Sequence, residues 1–143
     1  MPTTTKPKKR NKYGAIPTVV DGIRFHSKLE AARYRELSAR LALGRITNLD
    51  RQISFPVHWP GMVENKTSLF FTYVADFTYI NDDGQSIVED VKGKVLGEFR
   101  LKSKGVKFAL DVDVAIVTRK RVNGRLRWHF NKVPEPKEYL GSP

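Results

Sequence analysis

The sequence predicts an α/β layered domain, and three observations carry that expectation. Residues 27–44, SKLEAARYRELSARLALG, place good helix formers between a capping serine and a stopping glycine. Residues 69–80, LFFTYVADFTYI, are rich in aromatic and β-branched residues, as strands are. Residues 112–118, VDVAIVT, form a continuous apolar run of the kind buried in the middle of a sheet. Helices and strands alternating along one chain bury their apolar faces as helices packed on a sheet.

The elements follow in order. Residues 1–18 hold Thr, Pro, Lys and Arg with little apolar content, and are expected to be a flexible basic arm. VVDGIRF, residues 19–25, is a short extended piece with an Asp-Gly turn. In the first helix Ser27 is the cap and Glu30 holds the capping-box position. Leu29, Ala32, Leu37 and Leu41 give its approximate apolar stripe. Residues 51–59 read as a strand that Pro56 confines to an edge or a bulge. After a loop comes the strand 69–80, the turn NDDGQ, and the partner strand SIVEDVKG. Residues 97–110 read as a second helix, weakened by Gly105. The strand 112–118 follows, and Asn123-Gly124 turns it into RLRWHF as a hairpin. The domain is thus expected over 19–133, with a loose tail over 134–143.

Composition bounds the function. The chain has 143 residues, room for one core, and 40% of them are hydrophobic, so it is globular. No apolar run approaches the ~20 residues that cross a membrane, and none follows the basic N-terminus as a secretory leader would. A cytoplasmic location is expected. With no cysteine, disulfides and thiolate metal sites are excluded. Three scattered histidines (His26, His58, His129) make no zinc pattern. Lys and Arg total 26 against 15 Asp and Glu, a formal charge of +11. Such an excess attracts polyanions, nucleic acid first. The charge is clustered. KPKKRNK, residues 6–12, is one group; Arg119, Lys120, Arg121, Arg125 and Arg127 form another.

Against that basic background, acids inside strands stand out. Asp76 lies within YVADF, and Glu89 and Asp90 are adjacent in SIVEDVKG, followed by Lys92. Strand side chains alternate faces, so Asp90 and Lys92 share one face and Glu89 takes the other. A buried carboxylate is costly unless it is paired or holds a metal. Two registers are open. A three-residue loop at Asp82-Asp83-Gly84 makes paired numbers sum to 166 and sets Asp76 opposite Asp90, with Val74 opposite Lys92. A two-residue turn at Asp83-Gly84 makes the sum 167 and puts Glu89 with Asp76 instead. The first is adopted because it gathers Asp76, Asp90 and Lys92 on one face. Two opposed carboxylates repel, and a divalent cation between them removes the conflict. The bland alternative is a solvated strand end with Lys92 in a salt bridge. Glu89 is expected to be an outward or partner-facing charge.

These residues resemble the PD-(D/E)xK nuclease pattern. That family's core runs helix, three strands, helix, strand, in the order read here from 27 to 118. The resemblance implies a restriction-endonuclease-like αβββαβ core, a mixed central sheet flanked by helices, with the C-terminal β-hairpin added. Asp76 would be the first metal-binding acid, although Ala75 stands where the pattern has Pro. Asp90-Val91-Lys92 would be the (D/E)xK element, and Glu30 the extra acid of resolvase-type members. DGIRFHSKLEAARY, YVADFTY and VEDVKG together resemble a phage-encoded group near the Holliday junction resolvases.

What the resemblance implies is Mg²⁺-dependent hydrolysis of a DNA phosphodiester, with Mn²⁺ as a substitute, inside a bacterial host cell. Asp76 and Asp90 would hold the metal, with the Val91 carbonyl and Glu30 as further ligands. Lys92 would orient the attacking water or stabilise developing charge. Resolution of a four-way junction needs two cuts, which a homodimer would supply. Lys8, Lys9, Arg10 and Lys12 on the arm, and Arg100, Lys104 and Lys107 on the second helix, are expected on DNA phosphates. Gln52 is a possible accessory that polarises water or phosphate. Tyr34 and Trp128 read as packing; Trp59 is expected to be exposed, to stack or join a dimer. Two rivals stand beside the resolvase: a nicking or end-processing nuclease of the same core, and a nucleic-acid-binding protein without catalysis, for which the charge alone would suffice.

Overall fold

The computed structural model describes residues 16–59, 62–94 and 96–131. The chain runs β1 (Thr18–Val20), β2 (Ile23–Phe25), α1 (Lys28–Ala42), β3 (Thr47–His58), β4 (Leu69–Ile80), β5 (Ser86–Val91), α2 (Gly97–Leu110), β6 (Val114–Val122) and β7 (Arg125–Asn131). It is an α/β domain with a mixed five-stranded sheet, two helices and a C-terminal hairpin. The sheet order is β3-β4-β5-β6-β7, with β1 and β2 a separate hairpin. Only β5 and β6 pair in parallel within that sheet. A parallel pair needs a crossover, and α2 is that crossover. β3 lies at the edge, where Pro56 removes no ladder donor that the sheet needs.

Turn chemistry sets the registers. Asp21 and Gly22 both have positive φ (51° and 75°), as do Asn123 and Gly124 (49° and 75°), so both hairpins close through two-residue turns whose twist suits the strands. Between β4 and β5 the loop is Asp82-Asp83-Gly84. Asn81 N–H donates to the Gln85 carbonyl at 2.9 Å, and Gly84 takes φ 76°. Phe77 therefore pairs with Glu89 and Tyr79 with Ile87, a sum of 166. The ladder ends at Phe77, so neither the expected Asp76–Asp90 pair nor the expected Val74–Lys92 pair belongs to it; the Lys92 N–H donates to the Val117 carbonyl of β6 instead, at 2.9 Å.

The helix α1 starts as its sequence requires. Ser27 Oγ accepts the N–H of Glu30 at 3.1 Å. Its buried residues are Ala31, Arg33 and Leu37, whereas Leu41 is exposed. The face is thus turned from the expected Leu29–Leu41 stripe, and it carries a fully buried arginine. The helix α2 tolerates Gly105 for a packing reason: a Cβ there would stand 3.1 Å from Cζ of Phe71.

Two apolar clusters lie on opposite faces of the sheet. Phe25, Leu37, Phe77 and Tyr79 pack beneath α1, and Val57, Tyr73, Phe99, Val106 and Ile116 beneath α2. In β5 the faces alternate normally, with Ile87 and Val91 toward α1 and Val88 toward α2. In β4 they do not. Tyr73 and Ala75 pack on the α2 side, and Phe77 and Tyr79, at the same parity, on the α1 side. The strand changes face at Asp76. On β3, Ile53 pairs with Ala75 and Arg51 with Phe77, so Gln52 lies opposite Asp76, and its φ is 54°. Left-handed backbone at a non-glycine residue is uncommon in a strand, and here it accompanies the change of face. No helix among the described residues is long and apolar enough to cross a membrane.

Candidate functional site

Adjacent acids on β5 point to opposite faces and meet opposite fates. Glu89 faces α1 and is fully buried. Arg33 Nε donates to its Oε2 at 2.9 Å and Arg33 Nη2 to its Oε1 at 2.5 Å. The Tyr79 hydroxyl also donates to Oε1. The guanidinium of Arg33 lies 5.2 Å from the ring centres of both Trp128 and Phe130. Burial works to lower the Arg33 pKa, and the Glu89 hydrogen bonds overcome it, so the net direction is up. Burial and then Glu89 push the Tyr79 hydroxyl up as well. Glu89 is not the outward charge that its type suggested, because a paired, hydrogen-bonded carboxylate can be buried.

Asp90 faces α2 and is 3% exposed. The Tyr73 hydroxyl donates to its Oδ2 at 2.7 Å. Lys92 Nζ lies 2.8 Å from Oδ1, though off the line of a hydrogen bond, so Oδ1 has an ion-pair partner and no hydrogen-bond donor. The same Nζ lies 4.5 Å from the Phe99 ring centre. On β4, Asp76 Oδ2 accepts the N–H of Val91 at 2.8 Å, so a side chain takes the place of the ladder where the strand changes face. Among the described residues only the Gln52 amide reaches Asp76 Oδ1, at 3.4 Å. Each aspartate thus has one oxygen firmly held and one that no donor among the described residues satisfies well.

The charges converge. Burial, then the carboxylates of Asp90 and Glu30, push Asp76 up to about 8; the Val91 N–H and Lys92 oppose this. Glu30, in the first turn of α1, is also raised, chiefly by burial, against His26 and with Asp90 adding. His26 Nδ1 lies 3.8 Å from Glu30. Burial and Asp90 together raise Tyr73. A cleft of about 570 Å³ opens between the starts of the two helices, lined by Ser27 and Glu30 on one side and Leu96, Phe99 and Lys102 on the other, with Val91 and Lys92 at its floor. Crowded carboxylates with unsatisfied oxygens fit a hard divalent cation. Among the described residues no three His, Asp or Glu side chains are grouped closely enough to hold one by themselves. A cation of the Mg²⁺ type, which keeps several waters and needs one or two carboxylates, suits that set.

Glu30, Asp76, Asp90 and Lys92 are therefore brought together, with Gln52 beside them. Of the cations expected on DNA, the three that the structure describes, Arg100, Lys104 and Lys107, do not line the cleft. Arg100 and Lys104 are exposed on α2. Lys107 is held by Asp111 at 2.8 Å and Asp113 at 2.9 Å, which raise its pKa. Lys8, Lys9, Arg10 and Lys12 lie outside the described residues, as do 132–143 of the expected tail. Trp59 is exposed, its ring centre 4.2 Å from that of Phe70. The sequence reading missed Tyr73 and Arg33. For Arg33 a signal existed: it is four residues from Leu37, on the same helix face.

The family model described as "Protein of unknown function (DUF1064)" matches residues 10–121, most of the chain, and the chain belongs to that family. Among curated proteins nothing matches it.

Proposed function

We propose that this DUF1064 member is a metal-dependent DNA endonuclease acting on branched DNA, a Holliday junction resolvase that makes paired phosphodiester cuts. One observation carries the reading: Asp76, Asp90, Glu30 and Lys92 converge in a strongly basic chain, beside a cleft that Glu30 and Lys92 line, and burial with the carboxylates of Asp90 and Glu30 raises Asp76 against Lys92. Purely structural acids are neutralised, as Glu89 is. The order α1, β3, β4, β5, α2, β6 supports a restriction-endonuclease-like core.

Asp76 and Asp90 would hold Mg²⁺, with Glu30 and the Val91 carbonyl as further ligands. When bound, the ion neutralises charge on the phosphate and lowers the pKa of water. The chain's own groups do the rest. Tyr73 and the Val91 N–H fix the two carboxylates by one oxygen each, leaving the other without a well-formed hydrogen bond among the described residues. Lys92, free to leave Asp90 when a cation takes its place, presents an ammonium to the developing negative charge. Gln52 orients a water or a phosphate oxygen from its strained position. The substrate enters from solvent, and a two-fold dimer in the host cytoplasm would supply two sites for symmetric cuts.

The test is cleavage of a labelled four-way junction and a matched linear duplex, with Mg²⁺ or EDTA, by wild type and Asp90→Asn. Paired cuts in the junction alone, metal-dependent and lost in the variant, are expected. Equal cutting of both substrates would leave a nuclease without junction preference. Binding without cutting, Mn²⁺ included, would make the chain a nucleic-acid-binding protein.

A further inference from the structure

The cations of the β6–β7 hairpin have no role in the site. From Val114 to Asn131 the chain has five Lys or Arg and no Asp or Glu. The register sorts them. Arg119 pairs with Trp128 and Arg121 with Leu126, while Lys120 pairs with Arg127 and Val122 with Arg125. Arg119 and Arg121 share the face of Trp128, toward α1. Both are used there: Arg119 lies 5.1 Å from the Trp128 ring centre, and Arg121 Nη1 donates to the Gly124 carbonyl at 2.9 Å. The other face carries Lys120, Arg125, Arg127 and His129, all exposed.

Among the described residues that face is electrostatically incomplete. Lys120 and Arg127 stand directly opposite, and like charges in that position repel. None of its cations forms an ion pair with an acid among the described residues. Elsewhere the helix cations Arg40, Lys102 and Lys107 are each in an ion pair. The face also lies on Asp90's side of the sheet: Asp90 aligns with Ile116 on β6, and Lys120 is four residues further along that strand with the same parity. Four residues of strand span roughly 13 Å, and β7 adds about 5 Å sideways. A duplex backbone, with a charge about every 1.7 Å of axis, is long enough to span both.

We infer that the α2-side face of the β6–β7 hairpin, formed by Lys120, Arg125, Arg127 and His129, is a phosphate-backbone binding surface that holds nucleic acid at a distance from the acid cluster. That the polyanion is DNA rests on the proposed function; the surface itself does not. Contacts of this kind position a nucleic acid and carry no sequence information.

The test measures binding of a labelled linear duplex in EDTA, by anisotropy at a series of salt concentrations, so that cutting plays no part. The variant is Lys120→Gln, Arg125→Gln, Arg127→Gln. A second variant, Arg35→Gln, Arg40→Gln, Arg45→Gln, removes the same charge from α1 and the turn after it. The hairpin variant is expected to lower the slope of log affinity against log salt by about 2 to 3, since each neutralised phosphate contributes about 0.9, and to weaken binding roughly tenfold or more at moderate salt. It is expected to melt no lower than wild type, because the opposed pair is removed. An unchanged slope, an equal fall in both variants, or a wild type that binds no duplex at low salt would overturn the inference. A wild type that binds through this face and never cuts a junction would overturn the proposed function and leave the inference standing.

Discussion

Glu89 and Asp90 are neighbours on one strand, yet the two faces of β5 follow opposite designs. On the α1 face a buried acid is fully answered: Arg33 grips both oxygens, Tyr79 adds a third bond, and two aromatic rings cover the guanidinium. On the α2 face Asp90 has one good hydrogen bond and a lysine set off-line, and burial, then the nearby Asp90 and Glu30, push Asp76 up to about 8. Burial alone does not mark a functional acid. What distinguishes the two is whether the surroundings complete the charge or leave part of it for something not in the chain.

Breaking the completed face has the largest effect. Arg33→Met leaves Glu89 buried without its cation and removes the guanidinium from over Trp128 and Phe130. A loss of about 3–5 kcal/mol is expected, read from the midpoint of a urea titration. Adding Glu89→Leu should restore much of it, since an apolar pair of similar volume replaces a buried ion pair at little net cost. If the double variant is no more stable than the single one, the ion pair is not what the face depends on.

On the incomplete face the sign reverses. Asp76→Asn keeps an oxygen for the Val91 N–H and removes a charge that Asp90 and Glu30 oppose. It should stabilise the fold by on the order of 1–2 kcal/mol at neutral pH. Because the Asp76 pKa is raised on folding, its protonated form favours the native state. The stability that this provides is complete below the ordinary carboxylate range and is lost as pH rises toward about 8. The gain from Asn should therefore vanish near pH 4 and be full above pH 8, on melts of both proteins across that range. Mg²⁺ should raise the melting temperature of wild type and not of the variant. A wild type that Mg²⁺ leaves unmoved would argue against the aspartates as its ligands.

Much of this site was legible because local chemistry fixed it. Gly84 in a left-handed position sets a three-residue loop, the loop sets the register, and the register brings Asp76 beside the end of β5, where its Oδ2 accepts the Val91 N–H. The same holds for Ser27 and for the two Asp-Gly and Asn-Gly turns. Tertiary effects were not legible. Alternation fails in β4 because the strand changes face at Asp76, opposite a residue whose backbone is left-handed, and nothing in YVADF announces that. Arg33 reads as a surface residue on a basic helix. Besides its spacing from Leu37, the need of Glu89, between Ile87 and Val91 on a buried face, could have pointed to a cation there. Tyr73 sits in an aromatic run where packing explains every ring, so its hydroxyl gave no signal of its own.

The two tyrosines allow the smallest and sharpest test of the contrast, since each loses one oxygen and little volume. Tyr79→Phe takes a donor from Glu89, which keeps both Arg33 bonds. Tyr73→Phe takes from Asp90 its only well-formed hydrogen bond among those described. Both should cost about 1–2 kcal/mol, the range for a buried hydrogen bond to a charged group. They should differ in what else changes. Tyr79→Phe should leave metal affinity and cleavage near wild type. Tyr73→Phe frees Asp90 to rotate and should weaken Mn²⁺ binding, measured by calorimetry, several-fold. The direction follows from orientation: a carboxylate fixed by one oxygen presents the other in a single place, and a freed one must be ordered by the ion itself. Equal metal affinity in the two variants would mean that Tyr73, like Tyr79, serves only the fold, and that the two faces differ less than their hydrogen bonds suggest.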